Sequence, residues 1–355
     1  MALRVAVAMS GGVDSSVAAC LLKQQGFDIF GITMDFGIRK GSAPNKNIID
    51  AKRVCAKLGI KHYVVNLKDS FKGIVIKDFL NEYLSGKTPN PCVKCNQYIK
   101  FGILINNAKA LGADKIATGH YARIVHLSGS KTRQQEYLLK KAGDLSKDQS
   151  YFLYRLSQAQ LKNIIFPLAG FTKQQVRELA VKFKLPVAKK ADSQEICFLA
   201  NSDYRDFLKK HIPQALKKGL ITDEKANVLG QHNGIAFYTI GQRQGLGVSR
   251  GYPLYINRID VKKNQLVVGT REQACKKSFL IKKAHFILGP IKKKVALKVR
   301  IRYNHKEALA DILPLRGRCK VVFRKAQFAI TPGQSAVFYD KDTVVGGGFI
   351  ERVIS

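Results

Sequence analysis

Leu3-Arg4-Val5-Ala6-Val7-Ala8-Met9 runs into Ser10-Gly11-Gly12-Val13-Asp14-Ser15-Ser16, and the change of character within this stretch decides the fold. The first seven residues form a short, mostly apolar run, as a buried strand requires. Two glycines interrupt it, after which Val13, Val17, Leu21 and Leu22 recur at helical spacing up to Gly26. The expected order is strand, tight loop, helix. Residues 29–34 give a second apolar run, 50–58 a helix ending at Gly59, and 62–67 a third strand. Strands alternating with helices need crossovers, and right-handed crossovers predict an α/β domain with a doubly wound parallel sheet.

Residues 71–84 are helical in pattern and end in Gly86-Lys87-Thr88-Pro89-Asn90-Pro91, whose prolines predict a loop holding Cys92-Val93-Lys94-Cys95. A helix is expected at 101–111, a strand at 115–119, and two helices within 157–183 separated by a turn at 167–170. The α/β pattern fades near residue 200. A basic helical segment at 204–218 precedes short strands at 236–240, 254–259 and 265–268. Further on, Val295, Leu297, Val299, Ile301 and Tyr303 alternate with Ala296, Lys298, Arg300 and Arg302, so one face meets a core and the other solvent or phosphate. The expected division is an α/β domain over 1–200, a small mixed or β central domain over 201–280, and a β-barrel-like domain over 281–355.

Lys and Arg number 61 against 25 Asp and Glu, a formal charge of +36 over 355 residues. That surplus exceeds what solubility needs and points to a polyanionic partner held by counterion release. A merely solvated basic surface is the plainer alternative. No apolar stretch reaches the ~20 residues of a spanning helix, and the first strand starts almost at once. A cytoplasmic protein with no membrane partner is expected. Seven cysteines, an odd number in a long chain, argue for reduced or working thiols rather than a disulfide framework.

The glycine loop lets backbone approach a ligand while the following helix aims its N–H groups and positive dipole end there. Ser10, Ser15 and Ser16 add hydroxyls. Neither the Walker spacing nor the Rossmann spacing of glycines is present. The string instead resembles the pyrophosphate loop of N-type ATP pyrophosphatases, which adenylate a carbonyl oxygen and release pyrophosphate. The resemblance implies ATP with Mg²⁺ as the cofactor, held by Ala8, Met9, Ser10, Gly11, Gly12, Val13, Asp14 and Ser15. Asp14 either caps the helix or helps hold Mg²⁺. Met34, ending the second strand, falls at the carboxyl edge where open α/β sheets bind ligands, although core packing is its plainer role.

Cys20 and Cys55 lie on apolar helical faces and read as buried packing residues. Cys92 and Cys95 form a Cys-x-x-Cys pair, suited to zinc, an iron–sulfur cluster or thiol chemistry. No second such pair completes a four-ligand zinc set.

Thr88-Pro89-Asn90-Pro91-Cys92-Val93-Lys94-Cys95-Asn96 with Ile99-Lys100-Phe101 resembles the catalytic loop of the bacterial and organellar tRNA-specific 2-thiouridylases. The resemblance continues through Ala117-Thr118-Gly119-His120-Tyr121-Ala122-Arg123, Lys147-Asp148-Gln149-Ser150-Tyr151-Phe152-Leu153, Asp192-Ser193-Gln194-Glu195-Ile196-Cys197-Phe198, Thr239-Ile240-Gly241-Gln242-Arg243 and Thr331-Pro332-Gly333-Gln334, nearly the whole chain in order. It implies that ATP activates the C2 carbonyl of the wobble uridine and that sulfur arrives as a persulfide on Cys197. Cys95 would attack that persulfide, leaving a transient Cys95–Cys197 disulfide for a thiol reductant to open. A desulfurase or sulfur relay would supply the persulfide. Many members carry Asp where this chain has Cys92, so Cys92 is a candidate acid or base. Cys92, Cys95 and Cys197 could alternatively hold a [4Fe–4S] cluster.

The same resemblance places Asn90, Pro91 and Cys92 at the target base, and Gly119 at ATP. His120, Lys147, Asp148, Gln149, Arg302, Tyr303 and Gln334 would face the tRNA. Each has a plainer role: His120 as a hydrogen-bonded core histidine, Lys147 and Asp148 as an exposed pair. Tyr303 offers a stacking surface beside Arg302. Two rivals stay open: a pyrophosphate-loop ligase or amidotransferase acting on a small acid, and a non-catalytic RNA-binding protein with a regulatory nucleotide site.

Overall fold

In the computed structural model, residues 2–38, 45–127, 136–192, 196–199 and 203–354 are described. They divide into two compact units, the first holding 1–75, 92–194 and 342–345, the second 76–91, 195–341 and 346–355.

The first unit is built on a parallel sheet of β1 (Arg4–Ala8), β2 (Asp28–Asp35), β3 (His62–Asn66), β4 (Lys115–Ala117) and β7 (Ile164–Ile165), ordered β3-β2-β1-β4-β7. Between β4 and β7 in the chain, β5 (Arg123–Leu127) and β6 (Glu136–Lys140) form an antiparallel hairpin. β1 lies between β2 and β4, and Val5, Ala6 and Val7 are fully buried, which is why its sequence is apolar on both faces. The order turns back beside β1, the position at which open α/β sheets bind ligands. The helix Val13–Gln24 packs Val13, Val17, Ala18 and Leu22 into a core shared with Val54 and Val176.

The helix expected over 50–58 begins earlier, at Lys46, because the Asn45 side chain caps it by accepting from the Asn47 N–H at 3.1 Å. It ends at Gly59, whose φ of 63° is left-handed, as read. The expected loop around Cys92 is a correction. Pro91 opens a helical turn, Pro91–Lys94, which continues as a π-helical stretch, Cys95–Ile103. Proline lacks only an N–H that the first turn leaves unpaired, so it starts a helix as readily as it stops one. The wide turn is propped by Gln160, whose amide donates to the carbonyls of Gln97 and Phe101 at 3.0 and 2.6 Å. The two helices expected within 157–183 are Gln158–Leu161 and Lys173–Lys182, each opened by a capping box, Ser157 with Gln160 and Thr172 with Gln175.

The second unit contains two sheets. The smaller has β8 (Gly219–Thr222), β9 (Val228–His232), β10 (Tyr255–Asp260) and β11 (Gln265–Gly269) in the order β10-β11-β8-β9. The strand expected at 236–240 is absent; a 3-10 turn, Ile235–Phe237, follows Gly234 at φ 129° instead. The larger sheet is an antiparallel barrel of β12 (Cys275–Phe286), β13 (Val295–Arg300), β14 (Ala308–Leu315), β15 (Arg318–Phe328), β16 (Ser335–Asp340) and β17 (Thr343–Ile354), closed by pairing of β12 with β17. Closure removes exposed edges and buries Phe279, Val299, Ile312, Phe323 and Val337. The alternation read at 295–303 holds only to Arg300; Arg302 and Tyr303 lie in the turn that follows.

Candidate active site

The phosphate loop joins β1 to the helix Val13–Gln24. Gly11 adopts φ +69°, and a Cβ there would fall 2.2 Å from the carbonyl oxygen of Asn47, so glycine is required twice over. Lys190 buttresses the same spot, its Nζ donating to the Gly11 carbonyl (2.9 Å), Asn47 Oδ1 (3.0 Å) and Asp50 Oδ2 (2.7 Å).

The serines divide their work. Ser16, fully buried, donates to the Gly12 carbonyl at 2.8 Å, and Ser15 Oγ reaches the same carbonyl at 3.2 Å. Ser15 also accepts from the Ser10 N–H at 3.2 Å and lies 3.1 Å from Ser10 Oγ. Ser15 and Ser16 therefore fasten the loop to itself, and Ser10 is the exposed hydroxyl. The helix has Gly12 as N-cap with no side-chain cap bond, so Asp14 is not a cap. Its Oδ1 instead accepts from Tyr121 Oη at 2.8 Å and from Lys173 Nζ at 2.7 Å. Burial, followed by the charge of Asp14, pushes the Tyr121 phenol well above its ordinary pKa, so it stays a donor.

Gly119, just past β4, closes on the loop from the neighbouring strand. A Cβ would stand 2.7 Å from the Ser15 nitrogen and 2.8 Å from the Asp14 carbonyl carbon. Ala8 and Met9 are buried behind the loop, and Met34 is half-buried near the end of β2. The residues expected at ATP thus gather at the carboxyl edge of the sheet, and the sequence reading missed three more there: Tyr121, Lys173 and Lys190. Their roles depend on contacts across 107 to 179 residues, beyond any local spacing signal.

Of the cysteines, Cys20, Cys55 and Cys319 are buried, and burial pushes each thiol up to about 11. Cys92 is exposed on the first turn after Pro91, and Cys95 is buried at the start of the π-helical stretch. Irregular turns of this kind recur at functional sites. Cys92 and Cys95 belong to the first unit and Cys197 to the second. Cys197 is exposed, whereas its neighbour Phe198 is buried edge-on against Phe79 with ring centroids 5.1 Å apart. Ser193, Gln194 and Glu195 of the same motif lie outside the described residues. Among the described residues no three His, Cys, Asp or Glu side chains converge as metal ligands.

The loop before Pro91 is held within the second unit. Thr88 donates its N–H to the Pro332 carbonyl at 3.0 Å and its hydroxyl to Thr239 at 3.0 Å. Gln334 Nε2 donates to the carbonyls of Thr88 and Pro89. Asn90 is half-buried and Pro91 buried. His120 bonds Thr118 Oγ1 at 2.8 Å and packs between Phe101 and Phe166; burial, then Lys100, holds its pKa well below the usual histidine range. Asp148 is buried and closes its own turn, accepting from the Ala142 and Ser150 N–H groups and from Ser150 Oγ, so it forms no exposed pair with Lys147. Lys147 faces Asp192 at 3.6 Å, and Gln149 accepts from the Tyr121 N–H. Arg302 donates to the Phe328 carbonyl at 3.0 Å, Tyr303 is half-buried, and Arg300 pairs with Glu307 at 3.0 Å.

Three family models match successive stretches of the chain. Residues 3–201 match a domain described as the tRNA methyl transferase HUP domain, 205–270 a tRNA methyl transferase PRC-barrel domain, and 276–350 an aminomethyltransferase beta-barrel domain. The chain is 50% identical over 360 residues to tRNA-specific 2-thiouridylase MnmA 2 of Thermoanaerobacter sp. (strain X514), covering 98% of each. It is 48% identical over 362 residues to MnmA 2 of Caldanaerobacter subterraneus subsp. tengcongensis, covering 99% of this chain and 98% of that one. It is 44% identical over 364 residues to MnmA of Clostridium beijerinckii, covering 100% of both.

Proposed function

This chain belongs to the tRNA-specific 2-thiouridylase family, and we propose on that ground that it is a tRNA-uridine 2-sulfurtransferase acting on the wobble uridine. One observation carries the ATP half: the helix Val13–Gln24 opens at Gly12 with no side-chain cap bond, which leaves its opening N–H groups and positive dipole end to an anionic ligand. Pyrophosphate would sit there, between the Gly11 turn and Gly119. Mg²⁺ would come with the nucleotide, and Asp14 is the carboxylate the loop offers it.

The chemistry then proceeds in two displacements. Uridine O2 attacks the α-phosphorus, pyrophosphate leaves, and the adenylated oxygen becomes a leaving group. The terminal sulfur of a Cys197 persulfide is delivered to C2 and AMP departs; Cys95 thiolate takes the inner sulfur, giving a Cys95–Cys197 disulfide that two electrons from a thiol reductant reopen. Exposure of Cys197 suits loading by an external persulfide donor. Cys92, exposed one residue past Pro91, would move a proton at the target base, which Asn90 and Pro91 are also proposed to contact. The persulfide route requires no metal cluster.

For tRNA, Lys147, Gln149, His120, Arg302, Tyr303 and Gln334 are the proposed contacts, and Asp148 builds the turn that presents Lys147. The division into domains at 1–200, 201–280 and 281–355 is part of this proposal, supported by the parallel sheet lying in the first range and the four-stranded sheet in the second. Among the described residues no helix is long and apolar enough to cross a membrane. A cytoplasmic location is proposed because tRNA and ATP are found there.

Purified protein supplied with ATP, tRNA and a persulfide donor separates this reading from its rivals. Pyrophosphate release that depends on tRNA, with sulfur incorporated into the RNA, supports it. Release without tRNA would indicate a ligase acting on another acid, and tRNA binding with no release a non-catalytic binder.

A further inference from the structure

Gln160 grips the helical stretch that begins at Cys95. Its Nε2 donates to the carbonyls of Gln97 at 3.0 Å and Phe101 at 2.6 Å, while its Oε1 accepts from the Ser157 N–H at 3.0 Å. The amide therefore has one orientation, oxygen on the N–H of its own capping box and nitrogen on the two carbonyls. Two further bonds tie the same segments together. Arg155 Nε donates to Gln97 Oε1 at 2.6 Å, and Asn96 Nδ2 donates to the Phe152 carbonyl at 3.3 Å. All of these residues lie in the first unit.

The turn they hold is wide. Leu104, which caps the stretch, sends its N–H to the Ile99 carbonyl, five residues back rather than four. Gly102 stands across the same kind of turn from Gln97, and a Cβ there would fall 3.2 Å from the Gln97 oxygen, closer than ordinary packing. Asn96 is 3% exposed, yet among the described residues its Oδ1 accepts no hydrogen bond. A buried acceptor left so is unfavourable, and a register that leaves one needs contacts elsewhere to hold it. Beyond the wide turn, Leu104–Ala110 is an ordinary α-helix with Leu104, Ile105 and Ala108 buried, so that end is fixed by packing. Loss of the extra residue in the π turn would therefore rotate the Cys95 end by about 100° around the helix axis, one residue's share of a turn. Cys95 would leave the buried place it now occupies. We propose that Gln160 is a positioning residue for sulfur transfer, its amide holding the π register of Cys95–Ile103 and so aiming the Cys95 thiolate. This deepens the persulfide reading above and rests on it.

The test uses the full-length protein with three variants: Gln160→Met, which keeps the side-chain length and loses both donors; Gln160→Glu, which sets a carboxylate against the two carbonyls; and Cys95→Ser. The quantities read are tRNA-dependent pyrophosphate release, single-turnover thiolation from the persulfide-loaded protein, and the iodoacetamide labelling rate of Cys95 relative to Cys92. Gln160→Met is expected to keep pyrophosphate release within about threefold while thiolation falls about tenfold or more, the scale of two lost hydrogen bonds, and Cys95 should label faster. Gln160→Glu should be slower still at about pH 8 and regain thiolation relative to the parent towards about pH 6, because a protonated carboxyl again offers the carbonyls a donor. Gln160→Met should show no such recovery. A Cys95→Ser variant that thiolates at the parental rate sinks the persulfide reading and this proposal with it. With Cys95→Ser inactive, the proposal alone is sunk by a Gln160→Met variant that thiolates at the parental rate or loses pyrophosphate release as fully as thiolation, or by a Gln160→Glu variant whose thiolation relative to the parent does not rise as pH falls.

Discussion

The side-chain amide of Gln334 donates to the backbone carbonyl of Thr88 at 3.0 Å and reaches that of Pro89 at 3.2 Å. The turn that carries it is itself constrained, since Gly333 has φ +93° and a Cβ there would sit 2.7 Å from the Thr88 oxygen. Gln334 thus sets the height of the loop entering Asn90 and Pro91, whether or not it also touches RNA. Gln334→Ala removes two hydrogen bonds, together about 1–3 kcal/mol, so thiolation kcat should fall about tenfold. Filter binding should show tRNA affinity changed by less than that. Equal losses in affinity and kcat would make Gln334 a tRNA contact only.

Gly119 meets the phosphate loop backbone to backbone. Gly119→Ala forces a methyl into the Ser15 nitrogen and the Asp14 carbonyl carbon, neither of which can swing aside. Overpacking of this kind costs about 1–3 kcal/mol. ATP affinity measured by calorimetry should weaken about tenfold or more, with the circular dichroism spectrum retained; unchanged affinity would move the nucleotide away from this edge.

Thiol labelling should sort the cysteines by burial. At pH 8, brief alkylation followed by mass spectrometry should mark Cys92 and Cys197, whereas Cys20, Cys55 and Cys319, pushed up to about 11, react only after unfolding. Early labelling of Cys55 would contradict the packing described for the first unit.

Stability should fall on mild acidification. His62, His120, His232 and His305 are all lowered, chiefly by burial, so the unfolded chain takes up protons first. Their contribution is whole above about pH 6.5 and is lost as pH drops towards their folded values. Asp144, Asp192 and Asp342 are lowered as well, and their share is lost only below about pH 4. Thermal melts should give a lower Tm at pH 5.5 than at 7.5; an equal or higher Tm at 5.5 would show that these imidazoles are not held neutral.

The α/β half was legible because its signals are local: an apolar run, two glycines, then a period of three to four residues, which produced β1, the loop and the helix Val13–Gln24 in place. Pro91 was misread because the same ring that stops one helix can open the next. Residues 236–240 looked like a strand on composition, yet Gly234 and the turn after it carry the chain elsewhere. Ser15, Ser16 and Asp14 were named as ligand groups, but the two inner serine hydroxyls fold back locally on Gly12, and the cation that takes Asp14 comes from Lys173, more than a hundred residues away. Asp148 shows the reverse: a polar residue in a motif whose buried carboxylate closes a turn.

The most direct test of the whole account is nucleoside mass spectrometry of a wobble-uridine tRNA after a single turnover with ATP, Mg²⁺ and the persulfide-loaded protein. The account expects 2-thiouridine equal in amount to the AMP formed, and none from Cys197→Ser, which should still release pyrophosphate in a tRNA-dependent way. Thiouridine formed without ATP, or formed by Cys197→Ser at the parental rate, would contradict it.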